Sequence, residues 1–191
     1  IEGGQDEAAM RVAEMPDGSR AFVRDGEAMK QDPADAAAAG DFLDGIGANV
    51  ATQHYDEETN ALAVEEVEGE LMSEVEPGAV DEGSFYDAVA ASMLAGNADL
   101  HDANLMVGDD GEVTLFDLDR GGGRLFASGD EDQEVSQEMW QDQDVAHFYT
   151  NEAAMEHDFD AELPMQEIQQ RVQEMREEAA GVAEDLPDTP A

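Results

Sequence analysis

Three oxygen-bearing side chains lie close together in one stretch of the chain, NADLHDANLMVGDDGEVTLFDLDRGGGR at 97–124. Asp99 and Asn104 stand five positions apart in a polar loop, and Asp117 follows a pair of short apolar segments, 105–107 and 113–116. The segments are joined by Gly108-Asp109-Asp110-Gly111, turn chemistry that predicts a hairpin. Its second strand runs directly into Asp117. Phosphoryl transfer needs such a set. One carboxylate orients or deprotonates an acceptor hydroxyl, and two further oxygen donors hold Mg²⁺ against the phosphates. Mg²⁺ takes hard oxygen ligands in octahedral geometry and keeps several waters. A solvent-exposed acidic hairpin is the plain alternative, but it leaves the regular apolar flanks of the acids unexplained. A calcium loop does not fit, because the acids lack the required Asp-x-[Asp/Asn]-x-[Asp/Asn]-Gly pattern.

The elements that must position these residues are legible upstream and downstream. Residues 10–14 and 21–24 read as two strands around Pro16-Asp17-Gly18, a turn sequence. Asp32-Pro33 reads as an N-cap followed by proline at the first helical position. The helix continues through the alanine run, turns Phe42, Leu43 and Ile46 inward, and ends at Gly45 and Gly47. Segments 51–55 and 61–67 form a hairpin across 56–60. The acidic stretch 68–83, with Pro77-Gly78, reads as a loop that crosses between two parts of the chain. Residues 84–94 form a helix with Phe85, Val89, Ser92 and Met93 on one face. Further helices are predicted over 135–150 and 164–180, the latter with Ile168, Val172, Met175 and Ala179 at helical spacing. The element order predicts an α+β chain. It divides into a sheet with one helix at 1–69, a mainly helical part at 70–181 carrying the hairpin, and a flexible tail at 182–191.

Composition narrows the function classes. Asp and Glu number 49 against 8 Lys and Arg, for a formal charge of -41. The acids run from Glu2 to Asp188, so they mark no single site. Self-repulsion of this size destabilises a compact state in dilute buffer. At about 1 M salt the Debye length falls to about 3 Å and most of the repulsion is screened. The expectation is a halophilic protein, cytoplasmic in a high-salt organism or associated with the virion of a halophilic virus. Disorder is the rival reading of high charge, but 41% of the residues are hydrophobic and fall in periodic segments. Eight scattered cations assemble no basic patch, so direct nucleic-acid binding is not expected. No apolar run approaches the length of a membrane span. There is no cysteine, hence no disulfide and no thiolate metal site. The chain begins at Ile1 rather than Met, which points to a processed or cut N-terminus and a longer parent.

The segment 97–124 resembles the catalytic loop and metal-binding segment of the aminoglycoside phosphotransferase branch of the kinase superfamily. The pattern there is roughly His-Gly-Asp-x-His-x-x-Asn, two strands, then an apolar residue and Asp-x-Asp. The resemblance implies a two-lobed protein-kinase-like fold, with a reduced N-terminal sheet lobe and a small, mainly helical C-terminal lobe. It implies Mg²⁺ with ATP or GTP, and transfer of the γ-phosphate to an unidentified hydroxyl acceptor. Asp99 would be the catalytic base, and Asn104 and Asp117 would bind metal. His101 matches the second histidine of the loop, and Asp119 the second acid of Asp-x-Asp. Residues 61–69 look like the last strand of the first lobe and the hinge, where the backbone of Glu65 to Val67 would meet an adenine edge. Gly3-Gly4 lies where a phosphate-covering loop is expected, and Asp35 is a substitute for the glutamate of the regulatory helix.

Three departures bear on activity, one being that the sequence starts at the expected phosphate loop, so that the strand before it is expected to be absent or very short. Arg24 stands where the family places its phosphate-gripping lysine, and would have to take over charge neutralisation; the two cations are not interchangeable. Asn97 stands in place of the loop's first histidine. The alternative is therefore a catalytically inactive, pseudokinase-like module with a protein partner and an assembly role, a processed piece of a larger protein or virion component. Other residues read more plainly. His54, His147 and His157 lack metal spacing and suit surface or packing roles. Trp140, Phe148 and Tyr149 suit a core. Arg120 and Arg124, around Gly121-Gly122-Gly123, either meet a phosphate or pair with neighbouring acids.

Overall fold

Alternation of small apolar and polar residues builds the first sheet. The computed structural model describes residues 10–15, 18–29, 32–76, 78–97, 100–118 and 164–185. β1 (Met10–Glu14) and β2 (Arg20–Asp25) pair antiparallel, with Met10 opposite Arg24 and Glu14 opposite Arg20. Ala21 and Val23 of β2 point into the protein, while their neighbours are partly or fully exposed. β3 (Gln53–Asp56) and β4 (Ala61–Glu65) form a hairpin, and the four strands lie in the order β1-β2-β4-β3. The β3–β4 turn is held by Asp56, whose carboxylate accepts from Thr59 Oγ1 at 2.6 Å and from Glu58 N at 3.0 Å.

Helix α1 (Pro33–Gly45) packs on this sheet. Asp32 caps it by accepting from Ala34 N at 3.0 Å, with Pro33 in the first turn. Gly47, at φ +78°, ends it. The Ala48 N–H reaches back to Leu43 O and the Gly47 N–H to Asp44 O, the paired bonds of a Schellman stop. The helix buries mostly small side chains: Ala36, Ala37, Ala39 and Gly40, with Leu43 beyond them. Gly40 lies so close to β3 that a β-carbon there would come within 3.2 Å of the Gln53 side chain.

The chain leaves the first sheet at Glu65 and enters a second at Glu70. β5 (Glu70–Leu71), β6 (Leu105–Val107) and β7 (Val113–Leu115) form an antiparallel sheet in that order. The stretch expected to be a loop over 68–83 thus contains a strand and a short 3-10 turn at Met72–Glu74. β5 is only two residues long, too short to leave a period in the sequence. The crossing itself is compressed into 66–69. Gly69, at φ +146°, is required there, because a β-carbon would lie 2.4 Å from Val107 O.

Helix α2 (Glu82–Leu94) is capped by Asp81, which accepts from Ser84 N at 2.8 Å. It begins two residues before the start predicted from its apolar face, because Glu82 and Gly83 carry no such signal. Helix α3 (Met165–Asp185) packs against α2. It runs past Gly181, so the expected tail at 182–191 is shortened, and 186–191 lie outside the described residues. The helix predicted over 135–150 lies outside them as well. Among the described residues no helix is long and apolar enough to cross a membrane.

Two clusters make the core. The larger joins Phe85, Val89 and Leu94 of α2 with Leu105, Val107, Val113 and Leu115 of the second sheet and Ile168 and Val172 of α3. Ala39, Leu43, Ile46 and Ala48 belong to it too, so the end of α1 packs with residues beyond the boundary drawn at 69. The smaller cluster holds only Ala36, Ala37 and Leu62, with Met29 and Val64 at its edge. The two sheets are also stitched by backbone. Ala51 N donates to Leu115 O at 2.9 Å, and Leu115 N to Asn49 O at 3.1 Å. Residues 50–51 therefore serve the second sheet, and β3 starts at Gln53 rather than at 51. The chain is α+β, with small sheets and three helices among the described residues.

Candidate active site

The β6–β7 hairpin decides which polar residues meet. Asn104 closes a 3-10 turn, Asp102–Asn104, immediately before β6. Its N–H donates to His101 O at 2.9 Å, and its carbonyl accepts from Phe116 N at 3.3 Å. Asp117 is the next residue, so the hairpin brings the backbone of Asn104 alongside the start of the Asp117 segment. Asn104 is buried, at 7% exposure. The turn of the hairpin is anchored from outside: Asp81 N donates to Gly111 O at 2.9 Å.

Asp117 is fixed from two directions. From the end of α2, Asn97 Nδ2 donates to Asp117 O at 3.1 Å. Asn97 is 1% exposed, and its own N–H donates to Ser92 O at 2.9 Å. This buried amide ties the start of the polar loop to the backbone of Asp117. From the first sheet, Arg24 reaches across to the carboxylate, with Nη2 at 3.1 Å from Oδ2 and Nη1 at 3.5 Å from Oδ1. The side chains are 28% and 16% exposed. The planar guanidinium suits a two-pronged approach to a carboxylate, which an ammonium group cannot make.

The other predicted positions divide. Asp99 and Asp119 lie outside the described residues, as do Gly3-Gly4, Arg120 and Arg124. His101 is partly exposed, with Nδ1 4.0 Å from the carboxylate of neighbouring Asp102. Glu65 is committed to the sheet. Its N–H donates to Thr52 O at 2.9 Å, and its carboxylate lies 3.1 Å from His54 Nε2. Glu66 N donates to Arg20 O. Of the adenine edge expected over Glu65–Val67, Glu65 and Glu66 thus spend their N–H groups on the sheet, and Val67 is partly buried in the crossing. Asp35 sits in the first turn of α1, where a negative charge suits the helix N-terminus. It makes no ion pair with Arg24; the arginine turns to Asp117 instead.

Two site features escaped the sequence reading. Asn97 registered only as a missing histidine, although it anchors Asp117. Arg24 registered as a lysine substitute, although its partner is a carboxylate 93 positions away. The one available signal was scarcity: an arginine in an apolar strand of so acidic a chain needs a local partner.

Chemically, Asn104 and Asp117 offer the hard oxygen donors that Mg²⁺ takes alongside phosphate and water. Among the described residues no three His, Asp or Glu side chains converge on a common point. A groove of about 1420 Å³ opens elsewhere, between α2, α3 and the β6–β7 turn. It is lined by Asp81, Asp87, Glu112, Glu167 and Glu174, with Arg171, and such a lining repels a polyphosphate. No protein-family model matches the chain, and no curated protein matches it.

Proposed function

We propose that the chain is a two-lobed, kinase-like phosphotransferase domain, similar to the aminoglycoside phosphotransferase type, that uses ATP or GTP and acts on a hydroxyl acceptor. One observation carries the reading: Arg24 of the first sheet holds the Asp117 carboxylate, while the hairpin bonds the Asn104 backbone to Phe116 immediately before it. Asn104 and Asp117 are the oxygen donors that would hold Mg²⁺, and the metal would supply neutralisation of phosphate charge. Asn97 fixes the Asp117 backbone, and Arg24 supplies a positive charge beside its carboxylate. Asp99 takes the acceptor proton. The charge of -41 supports a working environment of high salt.

The test is calorimetry of Mg²⁺-dependent ATP binding in about 3 M KCl, well above the roughly 1 M at which screening is already short-ranged. Asp117→Ala is expected to abolish this binding. Unchanged binding in the folded variant would sink the proposal.

The same Arg24–Asp117 contact favours a second reading, an inactive kinase-like module, since the carboxylate meant for metal already holds a cation. That reading expects no phosphoryl transfer at molar KCl; turnover removed by Asp99→Ala would refute it.

A further inference from the structure

We propose that the first part of α1 opens from the four-stranded sheet as a unit while the rest of the helix stays seated, and that the buried amide of Gln53 sets how often it does so. Two observations meet at this seam. The helix faces the sheet with small residues, Ala36, Ala37 and Gly40. A polar side chain without a partner is aimed into them.

Gln53 begins β3 and is 3% exposed. Neither its Oε1 nor its Nε2 has a hydrogen-bond partner among the described residues. Buried polar groups nearly always have one, because an unmet donor or acceptor carries its full desolvation cost. The side chain lies along Gly40, the one position of this helix face without a β-carbon. Strand register places Gln53 opposite Val64, Val64 opposite Phe22, and Phe22 opposite Val12, so the four share one face of the sheet. Val12 at one end of this row is 54% exposed, whereas the amide at the other end is enclosed under α1.

The cover over the amide is light. Ala36, Ala37 and Leu62 make up the buried cluster there, with Met29 and Val64 at its margin. Burial stabilises in proportion to apolar area, and alanines contribute little of it. Further along, α1 is held more firmly. The larger core takes Ala39, and then Leu43 and Ile46, and the bonds from Gly47 N and Ala48 N close the helix end. The weakly held part of the helix therefore lies over the group that gains most from reaching water. Lifting that part breaks a small apolar contact and lets solvent meet both amide atoms. Lifting the rest would break the larger core. The seam thus lets the first sheet shed and regain its cover without disturbing the packing around Phe85.

Amide hydrogen exchange on the whole chain in about 3 M KCl reads the seam, because each protected amide reports the opening that exposes it. In the unaltered chain, residues 37–41 are expected to exchange faster than residues 43–48. Gln53→Met keeps an unbranched side chain and removes both unmet groups. It should slow exchange at 37–41 about tenfold, equivalent to about 1.4 kcal/mol. Fraying of the helix end that does not reach Gln53 would leave that rate unchanged. Gln53→Leu repeats the comparison if the methionine variant does not fold. Equal protection of 37–41 and 43–48 in the unaltered chain overturns the proposal, since α1 would then open only as a whole. Exchange at 37–41 that is unchanged or faster in the apolar variants overturns it as well.

Discussion

The two sheets are built to different standards of packing. The four-stranded sheet meets α1 through alanines and a glycine, and its own cluster contains a single large buried side chain, Leu62. The three-stranded sheet meets α2 and α3 through Phe85, Leu94, Leu105, Leu115 and Ile168. Small side chains let elements approach closely but bury little apolar area, and burial contributes roughly 25 cal/mol per Å². The second sheet thus forms the firm part of the molecule, and the first depends on it. Two arginines that bridge elements among the described residues follow the same division. Arg171 joins α3 to α2 through Asp87 and Gly83 O, and also pairs with Glu167 of its own helix, inside the firm part. Arg24 joins the lighter sheet to Asp117. A bridge inside a packed region supports structure, whereas a bridge between regions can open without unfolding either.

The largest test of this contrast is in the cores. Phe85→Ala should cost about 3–5 kcal/mol, and Leu62→Ala should fall near the lower limit of about 2 kcal/mol for leucine truncations. Denaturant unfolding at high KCl measures both, and equal losses would erase the distinction. Arg171→Met comes next. It leaves Asp87 and Glu167 without their shared cation, at an expected cost of about 1–2 kcal/mol. Arg24→Met should cost a comparable amount, because it takes this cation from a partly buried carboxylate. A loss well above that of Arg171→Met would make Arg24 the main structural bridge.

The smallest effect concerns the β3–β4 turn. Bonds from the Thr59 hydroxyl and the Glu58 N–H hold the Asp56 carboxyl below its ordinary value. A depressed carboxylate contributes stability above its unfolded pKa, and that contribution is lost as pH falls through the folded pKa. Thr59→Ala should raise the Asp56 midpoint in an NMR titration. A midpoint that does not move would detach the turn from Thr59.

Much of this organisation was legible in the sequence because local chemistry enforced it. Asp32-Pro33 and Gly47 mark the ends of α1, and both act as capping chemistry requires. The Gly108–Gly111 turn and its apolar flanks specify the β6–β7 hairpin. What escaped was non-local. β5 depends on pairing with β6, and residues 50–51 depend on β7; neither partner is visible from the segment itself. The candidate site divides the same way. Asn104 and Asp117 follow from one hairpin, while the bonds from Asn97 and Arg24 to Asp117 exist only once the sheets have met.

The sharing of the larger cluster by α2 and α3 has a consequence for how the protein is made. Phe85 and Ile168 pack in one core, yet a ribosome adding about 5–20 residues per second delivers them on the order of ten seconds apart. Through that interval the face of α2 that meets α3 lacks Ile168 and Val172. Nascent chains with open apolar faces associate readily. Dense negative charge opposes such association only where salt does not screen it, so the acidity that burdens the finished fold at low salt guards the unfinished chain under those same conditions.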